Sequence, residues 1–349
     1  MITLFTPDEL GLDEPTRYSE VENRFERIAS EAKGAGDPPR NGWATIVGVA
    51  LLGVAWAMEK QGRWSEALQQ AEVSRDILRE NDDLRWFAEV CHSIAVWKFH
   101  NLNNDPPVED FAAAIKARIA IGDLIGAAQS WHNLGYVQLI AGRNADADAS
   151  YERAAELLAQ VQAGPDRDLA TTATRQLGFV LSHQAYAAAR HRPATEALRC
   201  TSRYFEHFAQ TGAHREPVLA YLAAGIALAS SAEVPEPEGS ALTALAGIAP
   251  DAETWLRVAL REGSAAMTSH ADTGTGYHAY LGSHLLALTE LARWCYANGR
   301  HEEADQLTAQ ALSLARARGW AGEALRIEQL SAATASEANS VTRVHEWQA

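Results

Sequence analysis

The sequence predicts an all-α fold: a right-handed solenoid of antiparallel helix hairpins, stacked one on the next. Three observations predict it. Alternating runs rich in Val, Ile and Thr and bounded by turn signals, the mark of strands, are hard to find in a chain that is 47% hydrophobic. Composition shifts only once in the interior of the 349 residues, which suits one extended helical array better than two globules. Several segments also set small residues at helical spacing on both sides of a turn, as close-packed helix pairs require.

The elements follow in order. "YSEVENRFERIASEAK", residues 18–33, is an amphipathic helix ended by the breaker "GAGDPPRNG", and residues 1–42 are expected to cap the array, whose end faces must be covered. Leu51, Val54, Ala55, Gly62, Trp64, Ala67, Ala71 and Ser74 outline the first hairpin. "EVCHSIAVWKFHNLNNDPPVEDFAAAIKARIAIGD" gives a second, with a lengthened turn around Pro106 and Pro107. Trp131, Leu134, Gly135, Gly142, Ala147, Tyr151 and Ala154 outline the third. The fourth, "LSHQAYAAARHRPATEALRCTSRY", has Arg192 where a turn glycine would stand. Pro and Gly interrupt the array in residues 230–253, read as a long surface loop or a lid. Leu288, Leu291, Ala292, Gly299, Ala304, Thr308 and Ala311 outline the last hairpin, and residues 320–335 a closing helix. The expected organisation is a cap over 1–42, the array over 43–318, and a C-terminal capping helix and tail over 319–349.

The third segment resembles a tetratricopeptide repeat, with its W-x2-L-G start, turn glycine and A-x3-Y-x2-A second helix. Successive units here are 40 to 50 residues apart, longer than the 34 of that family. "ARIAIGDLIGAAQSWHNLG" is similar to repeats of bacterial regulators and kinesin light chains. No helix-turn-helix or nucleotide-binding segment accompanies it, so the resemblance implies an interaction fold without a specific activity.

A formal net charge of −15, with no basic stripe, excludes nucleic acid and anionic membrane surfaces as expected partners. Cys91, Cys200 and Cys295 lie far apart and cannot all pair, and the acidic N-terminus lacks the flank and core of a signal peptide. A cytoplasmic protein is expected. The most apolar run, Ile46 to Met58, is short for a membrane span and reads as a buried helix.

In the family resembled, the first helix of each hairpin faces the concave side. The resemblance then implies a groove lined by Leu52, Trp56 and Glu59; by His92, Val96, Phe99 and His100; by Gln129, His132, Tyr136 and Ile140; and by Ser182, Tyr186 and Arg190. Lysine is nearly absent, so the family's clamp for a terminal carboxylate is not expected. An aromatic wall with sparse polar groups suits a peptide, a protein segment or an apolar small molecule. The expected ligand-binding residues are Trp56, His92, Phe99, His132, Tyr136, Tyr186 and Arg190, with His92 beside His132 across a repeat boundary and His132 and Tyr136 projecting into the groove.

The first reading is therefore a peptide- or protein-binding module. The alternative is a cofactor-free isomerase or cyclase for an apolar substrate, with the 230–253 segment as lid and His132, Tyr136 and His92 as acid or base. A third is a scaffold that works through its convex surface. Glu89-x-x-His92 lacks the second such pair of a di-iron bundle, and His270, Asp272, His278 and His284 lack metal-ligand spacing. Neither metal nor cofactor is expected. Most of the ten tryptophans, Trp64, Trp131 and Trp255 among them, are assigned to the core, and Trp56 to the groove.

Overall fold

The computed structural model describes residues 14–34, 42–101, 107–211, 217–230, 242, 246–248, 251–270, 277–317 and 324–332. Among them every regular element is a helix, and no residue lies in a strand. The chain forms two compact units, Met1–Gly142 with Glu156–Val161, and Arg143–Ala155 with Gln162–Ala349. The division falls within the array, at the turn of the segment that best matches the repeat.

In the first unit, α1 (Glu14–Gly34) packs on α2 (Gly42–Lys60), α2 on α3 (Trp64–Glu80), α3 on α4 (Leu84–Asn101), α4 on α5 (Val108–Ala120) and α5 on α6 (Leu124–Ile140). Contacts also run from α2 to α4 and from α4 to α6. Every second helix thus belongs to one layer, as a stack of hairpins requires. Phe25 and Ala29 of α1 pack on α2, and Glu22 takes both Gln61 Nε2 and Arg63 Nη1 at 2.7 Å, binding α1 to the α2–α3 turn.

The hairpins close because small residues line the inner stripe. Ala67, Ala71, Ser74 and Leu78 of α3, at spacings of four, three and four, are all fully buried. Ser74 Oγ donates to the Gly48 carbonyl of α2 at 2.6 Å, and a methyl group on Gly48 would lie 2.7 Å from Leu78. α2 is apolar on all sides and buries eleven residues from Val47 to Met58, so it is a core helix.

The turns at residues 62, 82 and 122 share one geometry. At the first, Gly62 has a φ of 75°, its N–H reaches the Glu59 carbonyl at 2.9 Å, and the Arg63 N–H reaches Met58 at 2.9 Å, a Schellman close. Residues 82, 122 and 142 also take positive φ, and the four positions are separated by twenty, forty and twenty residues. The unit therefore repeats every forty residues, and each helix is longer than in a 34-residue repeat. Asp82, at φ 53°, stands where the others have glycine. The lengthened turn expected near Pro106 lies outside the described residues, while Pro107 is the N-cap of α5.

α7 (Asn144–Gln162) is divided between the units and buries Ala147, Tyr151 and Ala154 completely, as anticipated from the repeat pattern, and Leu158 with them. The second unit continues with α8 (Arg167–Ala189), α9 (Ala194–Thr211), α10 (Val218–Ala229), α11 (Ala252–His270), α12 (Tyr277–Ala297), α13 (His301–Ala317) and α14 (residues 324–332). α10 touches both α8 and α12, forming the corresponding layer there. Trp255 of α11 is fully buried with Phe205 and Tyr221 around it. The α12–α13 turn at Gly299 closes as at Gly62, and Ala304 and Ala311 are fully buried as expected. Most of the proposed lid, 230–253, and of the tail lies outside the described residues.

Candidate functional site

The inner layer of the first unit carries the expected aromatic residues on three helices. Trp56 of α2 is half-buried, and its indole Nε1 donates to Ser93 Oγ of α4 at 3.2 Å. Phe99 of α4 and Tyr136 of α6 are also half-buried, and their rings meet edge to face with centroids 6.2 Å apart. Trp64 and Trp131 pack against core clusters, as expected.

A partly buried chain of hydrogen bonds joins the same helices α4 and α6. His132 Nδ1 donates to Asn133 Oδ1 at 3.2 Å, and Asn133 Nδ2 donates to His92 Nε2 at 3.1 Å. Because the amide nitrogen can only donate, His92 carries its proton on Nδ1 and passes it to Ser130 Oγ at 3.0 Å. Arg118 of α5 closes the chain: Nη1 reaches Ser130 Oγ at 3.1 Å and the Gly126 carbonyl at 2.6 Å, and Nη2 reaches Glu89 Oε2 at 2.6 Å. Arg118 is only 5% exposed, so the guanidinium acts as a charged core strut between α4, α5 and α6.

Four of the residues expected to line the groove are buried. His132 is 9% exposed and does not project into an open groove, while Tyr186 in the second unit is 3% exposed. Leu52 and Ser182 are fully buried and belong to the core rather than to a groove wall. His92 and His132 do come together, as the sequence suggested, but with Asn133 between them. The side chain of His100 lies outside the described residues. Burial pushes His92 down to about 3, assisted by the charges of Arg118 and His132. Burial likewise pushes His132 down to about 4, against the Asn133 hydrogen bond. Both imidazoles are neutral at pH 7 and serve as fixed hydrogen-bonding groups.

Tyr186 and Arg190 serve a different centre in the second unit. Glu290 of α12 is 7% exposed; it accepts from Tyr186 Oη at 2.8 Å and from Arg190 Nη1 at 3.3 Å. Burial, and then the Glu290 charge, raise the Tyr186 phenol, so it remains a donor. A second buried carboxylate, Asp148 of α7, takes Arg192 Nε at 2.5 Å and Gln184 Nε2 at 3.4 Å. That contact explains the departure at the fourth turn: Arg192 bends the chain without positive φ, and its side chain anchors Asp148.

Sequence reasoning missed Arg118, Ser130, Asn133, Asp148 and Glu290. Ser130 and Asn133, three residues apart, share the α6 face that meets His92, a spacing readable in "SWHN". The family's register instead selects His132.

No known family model matches this chain, and no curated protein matches it. Solved structures do. One is the crystal structure of BtubC (BKLC) from P. vanneervenii, 14% identical, covering 60% of this chain and 88% of that one with a TM-score of 0.43. Another is a circular tandem repeat protein with novel repeat topology and enhanced subunit contact surfaces, 15% identical, covering 94% of this chain and 87% of that one with a TM-score of 0.26. At these scores neither likeness bears on what this chain does.

Proposed function

We propose that this chain is a cytoplasmic, tetratricopeptide-like binding module that holds an extended apolar peptide or protein segment against the α2, α4 and α6 layer of its first unit. The observation that carries this reading is the row of half-buried rings, Trp56, Phe99 and Tyr136, contributed by three alternate helices. An apolar row of this kind offers area to a ligand, and the hydrogen-bonded chain from His132 to Arg118 ties α4, α5 and α6 together. His92 and His132 act here as positioning residues. Tyr186 and Arg190 are committed to Glu290 and are not assigned to this surface.

The test is selection of binding peptides from a displayed random library, followed by titration against variants. Replacing Phe99 and Tyr136 together by alanine should weaken a selected peptide by ~10-fold or more with the helical signal intact. Peptides that bind both forms equally would overturn the assignment.

A further inference from the structure

The forty-residue unit makes Trp56, Val96 and Tyr136 equivalent positions on α2, α4 and α6. Trp56 and Tyr136 each stand six residues before a turn glycine, Gly62 and Gly142. Val96 and Tyr136 each stand fourteen residues after the positive-φ residue of the preceding turn, Asp82 and Gly122. All three side chains are half-buried. One turn earlier on the same stripes stand Gly53, Ser93 and Asn133, none of them apolar side chains. The apolar row is thus one side chain wide, broadened where Phe99 meets Tyr136 edge to face.

Chemistry and spacing both restrict what fits. Trp56 gives its indole N–H to Ser93 Oγ, and Val96 and Phe99 have no polar side-chain atom, so these three offer no acceptor to a peptide N–H. An N–H pressed against them loses water without replacement, a cost that proline escapes because it has none. The carboxylates beside the row are answered within the chain, Glu59 by Lys60 at 3.0 Å and Glu89 by Arg118 at 2.6 Å, so an uncharged ligand is the complement. Helices in contact lie about 8–10 Å apart. A polyproline II segment has three residues per turn and rises about 3.1 Å per residue, so every third side chain returns to the same face after about 9.3 Å. A strand turns its third residue to the opposite face. An amphipathic helix presents a band at i, i+3, i+4 and i+7, wider than a single file.

We infer that the occupant of this layer is an uncharged, proline-rich segment in the polyproline II conformation, with an apolar side chain at every third residue set against Trp56, Val96 and Tyr136 in turn. The inference rests on the peptide-binding reading above and narrows it to one conformation and one sequence pattern. Such a segment is ordered before it binds, so it loses little conformational entropy on a surface that supplies apolar area and few hydrogen bonds.

The experiment is calorimetric titration of the full chain with three peptides blocked at both ends. The first is Leu-Pro-Pro repeated three times, the second has the same composition with its three leucines consecutive, and the third is an amphipathic helix former with leucine at i, i+3, i+4 and i+7. Saturable binding of the first is expected, with the other two weaker by ~10-fold or more. Val96→Lys sets a charge in the middle of the row at a half-exposed position and should weaken the first peptide by a similar factor; the alanine pair at Phe99 and Tyr136 gives the same reading should the lysine variant fail to fold. A helical peptide that binds tighter than the first, and loses affinity in the alanine pair, overturns the polyproline assignment and leaves the binding surface standing. No saturable binding of the first peptide, or equal binding of the first and second, also overturns it. Binding of the first peptide that ignores both variants overturns the assignment and the surface together.

Discussion

Asn133 of α6 gives its amide N–H to Nε2 of His92 on α4 across 3.1 Å, while its carbonyl oxygen takes the Nδ1 proton of its own neighbour, His132. One side chain therefore fixes the tautomer of two imidazoles and ties two helices of the same layer. Replacing Asn133 by leucine removes both bonds at once and leaves His92 Nε2 without its acceptor role filled. Each buried polar group left unsatisfied costs about 1–3 kcal/mol. Chemical denaturation should show a loss in that range, and a variant as stable as the parent would mean that the bridge contributes nothing.

The same pair sets a pH dependence. Both histidines are held below the ordinary 6.5, at about 3 and about 4, so the folded chain resists protons that the unfolded chain accepts. Their contribution to stability is complete above pH 6.5 and is lost as the pH falls through the window down to those values, with a slope of at most ~1.4 kcal/mol per unit for each imidazole. Unfolding free energies at pH 7 and pH 5 should therefore differ less in His92→Gln than in the parent. Equal differences would show that His92 is not desolvated in the folded state.

Arg118 is the costliest side chain of the network to remove. Arg118→Met keeps much of its length but abandons the Gly126 carbonyl, Ser130 Oγ and Glu89. Removing one partner of a buried ion pair typically costs about 3–5 kcal/mol. Glu89 is 37% exposed at its side chain and can rehydrate, so the lower part of that range is expected. The checks are the thermal midpoint and the retention of the Phe99–Tyr136 contact by aromatic circular dichroism.

Much of this architecture was legible in the sequence because hairpins depend on local spacing. Ala147, Tyr151 and Ala154, or Ala304 and Ala311, declare their buried stripe at any repeat length, and Gly62, Gly142 and Gly299 mark turns that need a positive φ. The site was less legible because it depends on register between helices that are distant in sequence. The residue that hydrogen-bonds His92 is Asn133 rather than His132, a choice set by how α4 and α6 pack. Arg118 arrives from an outer helix, a direction that reading the inner face alone does not include. Tyr186 was expected to line the groove, but it is 3% exposed, and its partner Glu290 lies 104 positions further along, a pairing that no local pattern announces.

The turns offer a stabilising substitution. Asp82 adopts a φ of 53° at the position that is glycine in the turns at 62, 122 and 142. An L-residue in the left-handed region carries a steric penalty that glycine escapes, and Asp82 is exposed. Asp82→Gly should therefore raise stability by ~0.5 kcal/mol, whereas Gly62→Ala, at φ 75°, should lower it by ~1 kcal/mol. Opposite signs in paired denaturation curves are the expected outcome. Two losses would show that the Asp82 side chain contributes more than its backbone conformation costs.

Tyr186→Phe tests the second unit. The substitution deletes one oxygen from a residue 3% exposed and leaves Glu290 Oε1 without its donor, while the ring and its packing remain. Glu290 keeps Arg190 at 3.3 Å and Arg293 at 3.6 Å, so the carboxylate is weakened in its hydrogen bonding rather than orphaned. A loss of about 1.5–3 kcal/mol is expected for a hydrogen bond to a charged group. Because Tyr186, Arg190 and Glu290 all lie in the second unit, hydrogen exchange should quicken in α8 and α12 by local opening, and least in α4 and α6. Exchange that quickens equally throughout would mean that the two units unfold as one cooperative body, so that a single buried hydroxyl supports the whole chain.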